Sequence, residues 1–334
     1  MRILVTGGLG YIGSHVTVLL LQKGYEVVSV DNLDNSSIDV LEGIEAITGT
    51  RPFFEALDVR NENQMKDLFD KYPNIDGVIH FAAYKAVGES VEKPLEYYEN
   101  NLNGLVQVLK PVTQKAIPFI FSSSCTVYGQ ADKMPINEDI PLKKAFSPYG
   151  NTKQIGEQII ADCCKAYKGF NAILLRYFNP IGAHSSARIG EFPQGTPQNL
   201  IPFLTQTVIG KREVLKIFGS DYDTPDGTCI RDYIHVVDLA IAHVKSLEYL
   251  DKLNNKEYDI FNLGTGSGSS VLDLINSFEE STNKKVNYKI VGRRDGDIEA
   301  IYCNPKKANN ILEWETKYNL FDMMKSAWNY QLNN

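Results

Sequence analysis

Tyr149 and Lys153 are the residues whose types and spacing best suit chemistry, in the run Ser147-Pro148-Tyr149-Gly150-Asn151-Thr152-Lys153. Ser147 fits a helix N-cap, and Pro148 fits the first helical position, where a missing N–H costs nothing. Tyr149 then falls in the first turn. Residues four apart share a helix face, so the Lys153 ammonium is expected beside the Tyr149 phenol. A nearby cation and the positive helix end both favour phenolate. A free tyrosine has a pKa of about 10, so a base working near neutrality needs a drop of roughly three units, or about 4 kcal/mol. Spacing alone does not identify a site, because Tyr302 and Lys306 repeat it. There Pro305 separates the partners and argues against a continuous helix face.

The elements that would position such a pair begin at the N-terminus. Arg2 to Thr6 reads as a strand, Gly7-Gly8-Leu9-Gly10-Tyr11-Ile12-Gly13 as a tight loop, Ser14 to Lys23 as a helix closed by Gly24, and Glu26 to Val30 as a second strand. Gly7, Gly10 and Gly13 let a backbone approach a pyrophosphate whose charge rests on the helix N-terminus. Asp31 ends the second strand, where a carboxylate binds the adenine ribose hydroxyls and repels a 2′-phosphate. Asn32 follows where an NADP enzyme places an arginine, so the expected cofactor is NAD.

Further strands are expected at Phe53 to Leu57, Gly77 to Phe81, Pro118 to Phe121 and Ala172 to Phe178, with helical stretches between them. This alternation implies an α/β fold: a Rossmann-type, doubly wound parallel sheet covered on both faces. Ligands bind at the carboxyl edge of such sheets. That edge carries Asp58-Val59, Ala82-Ala83, Ser122 to Ser124 and Asn179-Pro180. Ala82 and Ala83 leave room for a cofactor, or serve only close strand-to-helix packing. His80 reads as a satisfied core residue and Cys125 as a small, partly buried thiol.

From Ile181 to Asn199 the chain is rich in Gly, Pro and polar residues; a helical run follows from Leu200, then strands at Leu215 to Phe218 and Tyr258 to Leu263. The expected organisation is a dinucleotide-binding domain over 1–180 and a smaller C-terminal α/β substrate-binding domain over 181–334. A segment near 235–265 is expected to return to the main sheet.

The 334 residues suit two domains or one elaborated α/β unit. A net charge of −7 argues against nucleic-acid or anionic-membrane partners. The N-terminal apolar run is too short for a signal-peptide core or a membrane span, so a cytoplasmic protein is expected. Five scattered cysteines read as reduced thiols, and no metal is expected.

With these residues in view, the chain resembles the extended short-chain dehydrogenase/reductase family, and within it the branch that epimerises UDP-sugars at C4. The glycine loop with Ser14-His15 and the Tyr149/Lys153 pair carry the first likeness. The narrower likeness rests on Lys85-Ala86-Val87-Gly88-Glu89-Ser90, Lys93 to Tyr98, Leu175-Arg176-Tyr177-Phe178-Asn179-Pro180, Arg231-Asp232-Tyr233-Ile234-His235-Val236 and Arg293-Arg294-Asp295-Gly296-Asp297.

The resemblance implies interconversion of UDP-galactose and UDP-glucose by a homodimer. Tyr149 would accept and donate the proton, Lys153 would bind ribose and lower the tyrosine pKa, and Ser124 would hydrogen-bond the sugar hydroxyl. NAD contacts would come from Tyr11, Ile12, Asp31, Asn32, Asn35 and Ser36, then Asp58, Val59, Phe81 and Lys85, then Asn100 and Phe178. Nucleotide-sugar contacts would come from Asn179, Asn199, Leu200, Lys216 and Phe218, with Arg231, Arg294 and Asp297. Two arginines suit a diphosphate because their forks bind it bidentately. Dehydratase relatives carry an acidic pair after the strand-end Ser/Thr, whereas Ser124 is followed by Cys125-Thr126-Val127. Ile301 stands where some bacterial relatives have a bulky tyrosine, which implies room for N-acetylated UDP-sugars. The alternatives are another nucleotide-sugar enzyme of this fold (a dehydratase, decarboxylase or uronate epimerase) and a non-catalytic NAD-binding regulator. Intact Tyr149, Lys153 and Ser124 count against the regulator.

Overall fold

The structure is a computed structural model that describes residues 1–250, 252–253, 257–294 and 297–334. Asp295 and Gly296 of the Arg293–Asp297 motif lie outside the described residues.

Seven strands form the main sheet: β1 (Arg2–Thr6), β2 (Glu26–Asp31), β3 (Phe53–Ala56), β4 (Gly77–His80), β5 (Phe119–Ser124), β6 (Ala172–Tyr177) and, late in the chain, β10 (Tyr258–Leu263). All pairings are parallel, in the order β10-β6-β5-β4-β1-β2-β3. Every residue of β4, β5 and β6 is buried, because helices cover both faces of a parallel sheet. On one face α1 (Tyr11–Gln22) and α9 (Val236–Leu250) supply Val16, Leu20, Leu239 and Leu247 to a core. On the other, α3 (Glu62–Lys71), α6 (Gly104–Gln114) and α7 (Pro148–Ala166) supply Phe69, Leu105, Val108 and Ile160. The chain leaves β1 toward β2 and β3, then returns to place β4 on the other side of β1. The crevice at the carboxyl ends of β1 and β4 is therefore the topological switch point, where this architecture binds ligands.

The remaining elements build a smaller layer beside that crevice. β7 (Asn179–Ile181) and β9 (Ile230–His235) pair in parallel, and β11 (Gly268–Ser270) and β13 (Ala300–Ile301) also pair with β9. β8 (Leu215–Phe218) pairs with β12 (Tyr288–Val291). Leu204 of α8 (Leu200–Val208), Phe278 of α10 (Val271–Thr282) and Met324 of α12 (Leu320–Asn333) form a third core beneath them. Shorter helices α2 (Val40–Thr48), α4 (Val87–Glu92), α5 (Pro94–Tyr98) and α11 (Lys306–Leu312) complete the chain.

Two boundaries differ from the sequence expectation in ways that matter for the site. Helix α1 starts at Tyr11 rather than Ser14: Gly10 is extended, and the Ser14 N–H donates to the Gly10 carbonyl at 2.9 Å. Tyr11 and Ile12 thus belong to the first helical turn. Strand β5 continues through Ser124, so the three serines are strand residues, held in register against Leu175, Arg176 and Tyr177 of β6.

Candidate active site

Helix α7 starts where its sequence requires. The Ser147 side chain accepts the Gly150 N–H at 3.1 Å, and Pro148 occupies the first turn. Tyr149 and Lys153 follow on one face, with the Lys153 Nζ 5.9 Å from the Tyr149 ring centroid. Lys153 is buried and donates to the Ser122 carbonyl at 2.6 Å and the Ser122 Oγ at 3.3 Å. Burial pulls its pKa down to about 7, opposed by the Glu157 carboxylate.

The phenol titrates opposite to the sequence expectation. Desolvation raises Tyr149 to about 12, opposed by a hydrogen bond with Ser124. In a weakly solvated pocket the cost of a bare phenolate outweighs a helix N-terminus and a neighbouring lysine. Beside it, Ser124 also accepts the Thr126 N–H at 3.2 Å and the Thr126 hydroxyl at 3.0 Å, which fixes its rotamer. Burial pushes the Cys125 thiol up to about 12, so it is no nucleophile. The Tyr302/Lys306 repeat is broken as its proline implies: Pro305 caps α11, Lys306 is its first residue, and Tyr302 lies outside the helix.

The glycine loop fits a dinucleotide. Gly7 has φ +67°, and a Cβ there would stand 2.8 Å from the Ala82 nitrogen; a Cβ on Gly13 would stand 2.2 Å from the Gly7 carbonyl. Only side-chain-free backbone packs this closely, and it leaves the N–H groups of the α1 start open to an anion. Asp31 is buried and accepts from the Leu9 N–H at 3.1 Å, the Leu33 N–H at 3.0 Å and the Ser36 hydroxyl at 2.8 Å. One carboxylate thereby ties the glycine loop to the loop holding Asn32 and Asn35, both exposed.

Around that cradle, Arg60 grips Asp58 and holds its carboxyl below the usual range. Val59 and Phe178 are buried, and the Phe81 ring packs 4.9 Å from His243. Ala82 and Ala83 are half-buried at the end of β4. His80 is the core residue expected: its Nδ1 shares a hydrogen bond with the Thr6 hydroxyl at 2.7 Å, and burial lowers its pKa to about 3. Asn100 donates to Asn101, and Lys85 pairs with Glu191 at 2.8 Å.

The nucleotide-sugar set gathers on the smaller layer. Arg231 and Arg294 each place a guanidinium nitrogen 3.1 Å from the same Asp297 oxygen. The Arg294 guanidinium lies 5.6 Å from the Phe218 ring centroid, and Phe218 and Lys216 share the exposed face of β8. Arg231 is in register with Ile301, which clusters with Cys125 beside Ser124. Asn179 opens β7 opposite Tyr233, and Asn199 precedes Leu200 at the start of α8, its amide donating to Glu191 at 2.5 Å. Ile301 is buried in a cluster with Cys125, Phe178 and Cys303.

Three residues escaped sequence reasoning. Glu157, one turn beyond Lys153, is buried in a two-pronged pair with Arg176 at 2.9 and 2.7 Å and also takes the Ser123 hydroxyl. Its four-residue spacing from Lys153 was the available signal. Buried Asn101 bonds Tyr84 through both its backbone groups and donates to Thr152 of α7, so it locks the β4 loop to the helix that carries Tyr149. Glu191, in a loop without periodicity, gave no signal.

A glycine cradle, a strand-end carboxylate and a Tyr/Lys/Ser group at one sheet edge define an extended short-chain dehydrogenase/reductase. The family model described as GDP-mannose 4,6 dehydratase matches residues 4–327. Within that class the chain belongs to the UDP-glucose 4-epimerase family. It is 48% identical to the UDP-glucose 4-epimerase of Bacillus subtilis, covering 100% of this chain and 98% of that one. To the Homo sapiens UDP-glucose 4-epimerase it is 46% identical, over 100% of this chain and 97% of the other. A crystal structure of UDP-glucose 4-epimerase from Bifidobacterium longum in complex with NAD+ and UDP superposes with a TM-score of 0.95 at 45% identity, covering 100% and 99% of the two chains.

Proposed function

We propose that the protein interconverts UDP-galactose and UDP-glucose with NAD as a resident cofactor. The observation that carries this reading is the Tyr149/Ser124 group beside Cys125, which clusters with Ile301, the register partner of Arg231. When bound, NAD supplies hydride acceptance from the sugar C4 and its return to the opposite face. Tyr149 takes the proton of the 4-hydroxyl and gives it back. Near neutrality the phenol is protonated, so Ser124 and the Lys153 ammonium must favour its ionised form once the site is filled. Arg231 and Arg294 hold the diphosphate bidentately, and Asp297, which pairs with both guanidinium groups, serves the nucleotide-sugar beside them. Affinity therefore rests in UDP, and the 4-keto sugar is gripped loosely enough to turn.

The role of each site residue follows this division: Gly7, Gly10, Tyr11, Ile12 and Gly13, with Asp31, Asn32, Asn35 and Ser36, then Asp58, Val59, Phe81, Ala82, Ala83, Lys85, Asn100 and Phe178, serve NAD, and Asn179, Asn199, Leu200, Lys216, Phe218 and Asp297 serve the nucleotide. The domain boundary falls near residue 180, with α9 and β10 belonging to the NAD-binding half; the pairing of β10 with β6 supports this. N-acetylated UDP-sugars are also substrates, since aliphatic Ile301 beside Cys125 occupies less space than an aromatic ring. The protein works as a cytoplasmic homodimer: its cysteines are free, and Val91 and Leu95 of the α4–α5 segment stand 61% and 81% exposed. Among the described residues no helix is long and apolar enough to cross a membrane.

The test is conversion of UDP-galactose by the purified protein, followed by separation of the two nucleotide sugars, with UDP-N-acetylgalactosamine run in parallel. Tyr149→Phe should cut kcat by roughly 10²–10⁴-fold. A variant with near-full activity would remove Tyr149 from proton transfer, and net water loss would identify a dehydratase instead.

A further inference from the structure

One segment packs on the glycine loop and bonds both Lys85 and Asn199. Residues 182–191 follow β7 and pass over the glycine loop. Ile189 is buried among Leu9 of the glycine loop, Val18 of α1 and Leu41 and Ile44 of α2. A Cβ on Gly43 of α2 would stand 2.9 Å from the Arg188 carbonyl, so that helix lies directly on the segment. Gly190 meets α12 from the opposite side, where a Cβ would stand 2.5 Å from the Tyr330 ring. The Tyr11 hydroxyl donates to the Gly182 carbonyl at 2.6 Å and fixes the segment's start.

This clamped backbone presents Glu191 to the crevice with its side chain 12% exposed. A single oxygen, Oε1, accepts from two donors: the Lys85 ammonium at 2.8 Å and the Asn199 amide at 2.5 Å. Lys85 follows β4 on the cofactor side, with its Nζ 5.9 Å from the Tyr11 ring centroid. Asn199 stands at the start of α8 on the nucleotide-sugar side.

We propose that Glu191 is a positioning residue that couples the two pockets, so that UDP binding tightens retention of NAD. The proposal rests on the functional reading above. A nucleotide that draws the Asn199 amide to itself leaves the carboxylate wholly to Lys85. The strengthened ion pair then fixes the lysine at the edge of the cofactor pocket, and a preorganised donor loses less freedom when it meets its ligand. Coupling of this kind is reciprocal, so NAD must raise the affinity for UDP by the same factor.

The experiment measures the rate at which NAD leaves the holoprotein, with and without saturating UDP, and UDP binding by calorimetry. In the wild type, UDP should slow NAD loss by about fivefold or more. Glu191→Gln should still bind both ligands, with the ratio reduced below about twofold, because a neutral amide no longer ion-pairs with Lys85. Asn199→Ala, measured without UDP, should already release NAD at the slow, UDP-bound wild-type rate. A wild-type ratio in Glu191→Gln, or release from Asn199→Ala as fast as from the UDP-free wild type, would overturn the coupling and leave the functional reading standing. A wild-type protein that binds neither NAD nor UDP would overturn the functional reading and the coupling with it.

Discussion

The two ligand regions are built differently. On the cofactor side Asp31 is 8% exposed, already satisfied by three donors, and packed against a loop with no space for a side chain at Gly7 or Gly13. In the expected nucleotide-sugar set the Arg294 side chain is 60% exposed, Phe218 is 38% exposed, and the two arginines share the Asp297 carboxylate. The first is a preformed, closely packed cradle. The second is an open surface whose arginine charge is balanced by Asp297.

The comparison breaks most severely at the glycine loop. Gly13→Ala sets a methyl group 2.2 Å from the Gly7 carbonyl, so the loop must open and NAD should no longer be retained after gel filtration. Retention equal to the wild type would mean that the cradle is not rigid. Arg231→Met should act on the other side alone. The KM for UDP-galactose should rise by roughly 10–100-fold, as expected for losing a charge-assisted contact, while NAD content stays unchanged. If the variant loses NAD as well, the two regions are not separable in the way their geometry implies.

How much was legible in the sequence follows the same division. The cofactor half could be read because its signals are local: glycines that no other residue replaces, alternating buried strands, and an N-cap and proline ahead of Tyr149. The smaller layer was mostly missed. β7, β11 and β13 are two or three residues long and define themselves only by pairing with β9, a contact between distant parts of the chain. Charge balance was the other hidden quantity. Spacing predicts that Lys153 stands near Tyr149, and it does; it does not reveal how far burial shifts both groups, nor that Glu157 sits one turn on with Arg176 as its partner.

The central claim is that hydride leaves and returns to C4 within one site while Tyr149 handles only the proton. It is tested most directly with UDP-galactose carrying deuterium at C4, converted in ordinary water. The account predicts UDP-glucose that retains the deuterium at C4. Washout of the label into solvent would show that the C4 hydrogen leaves as a proton, and would contradict it.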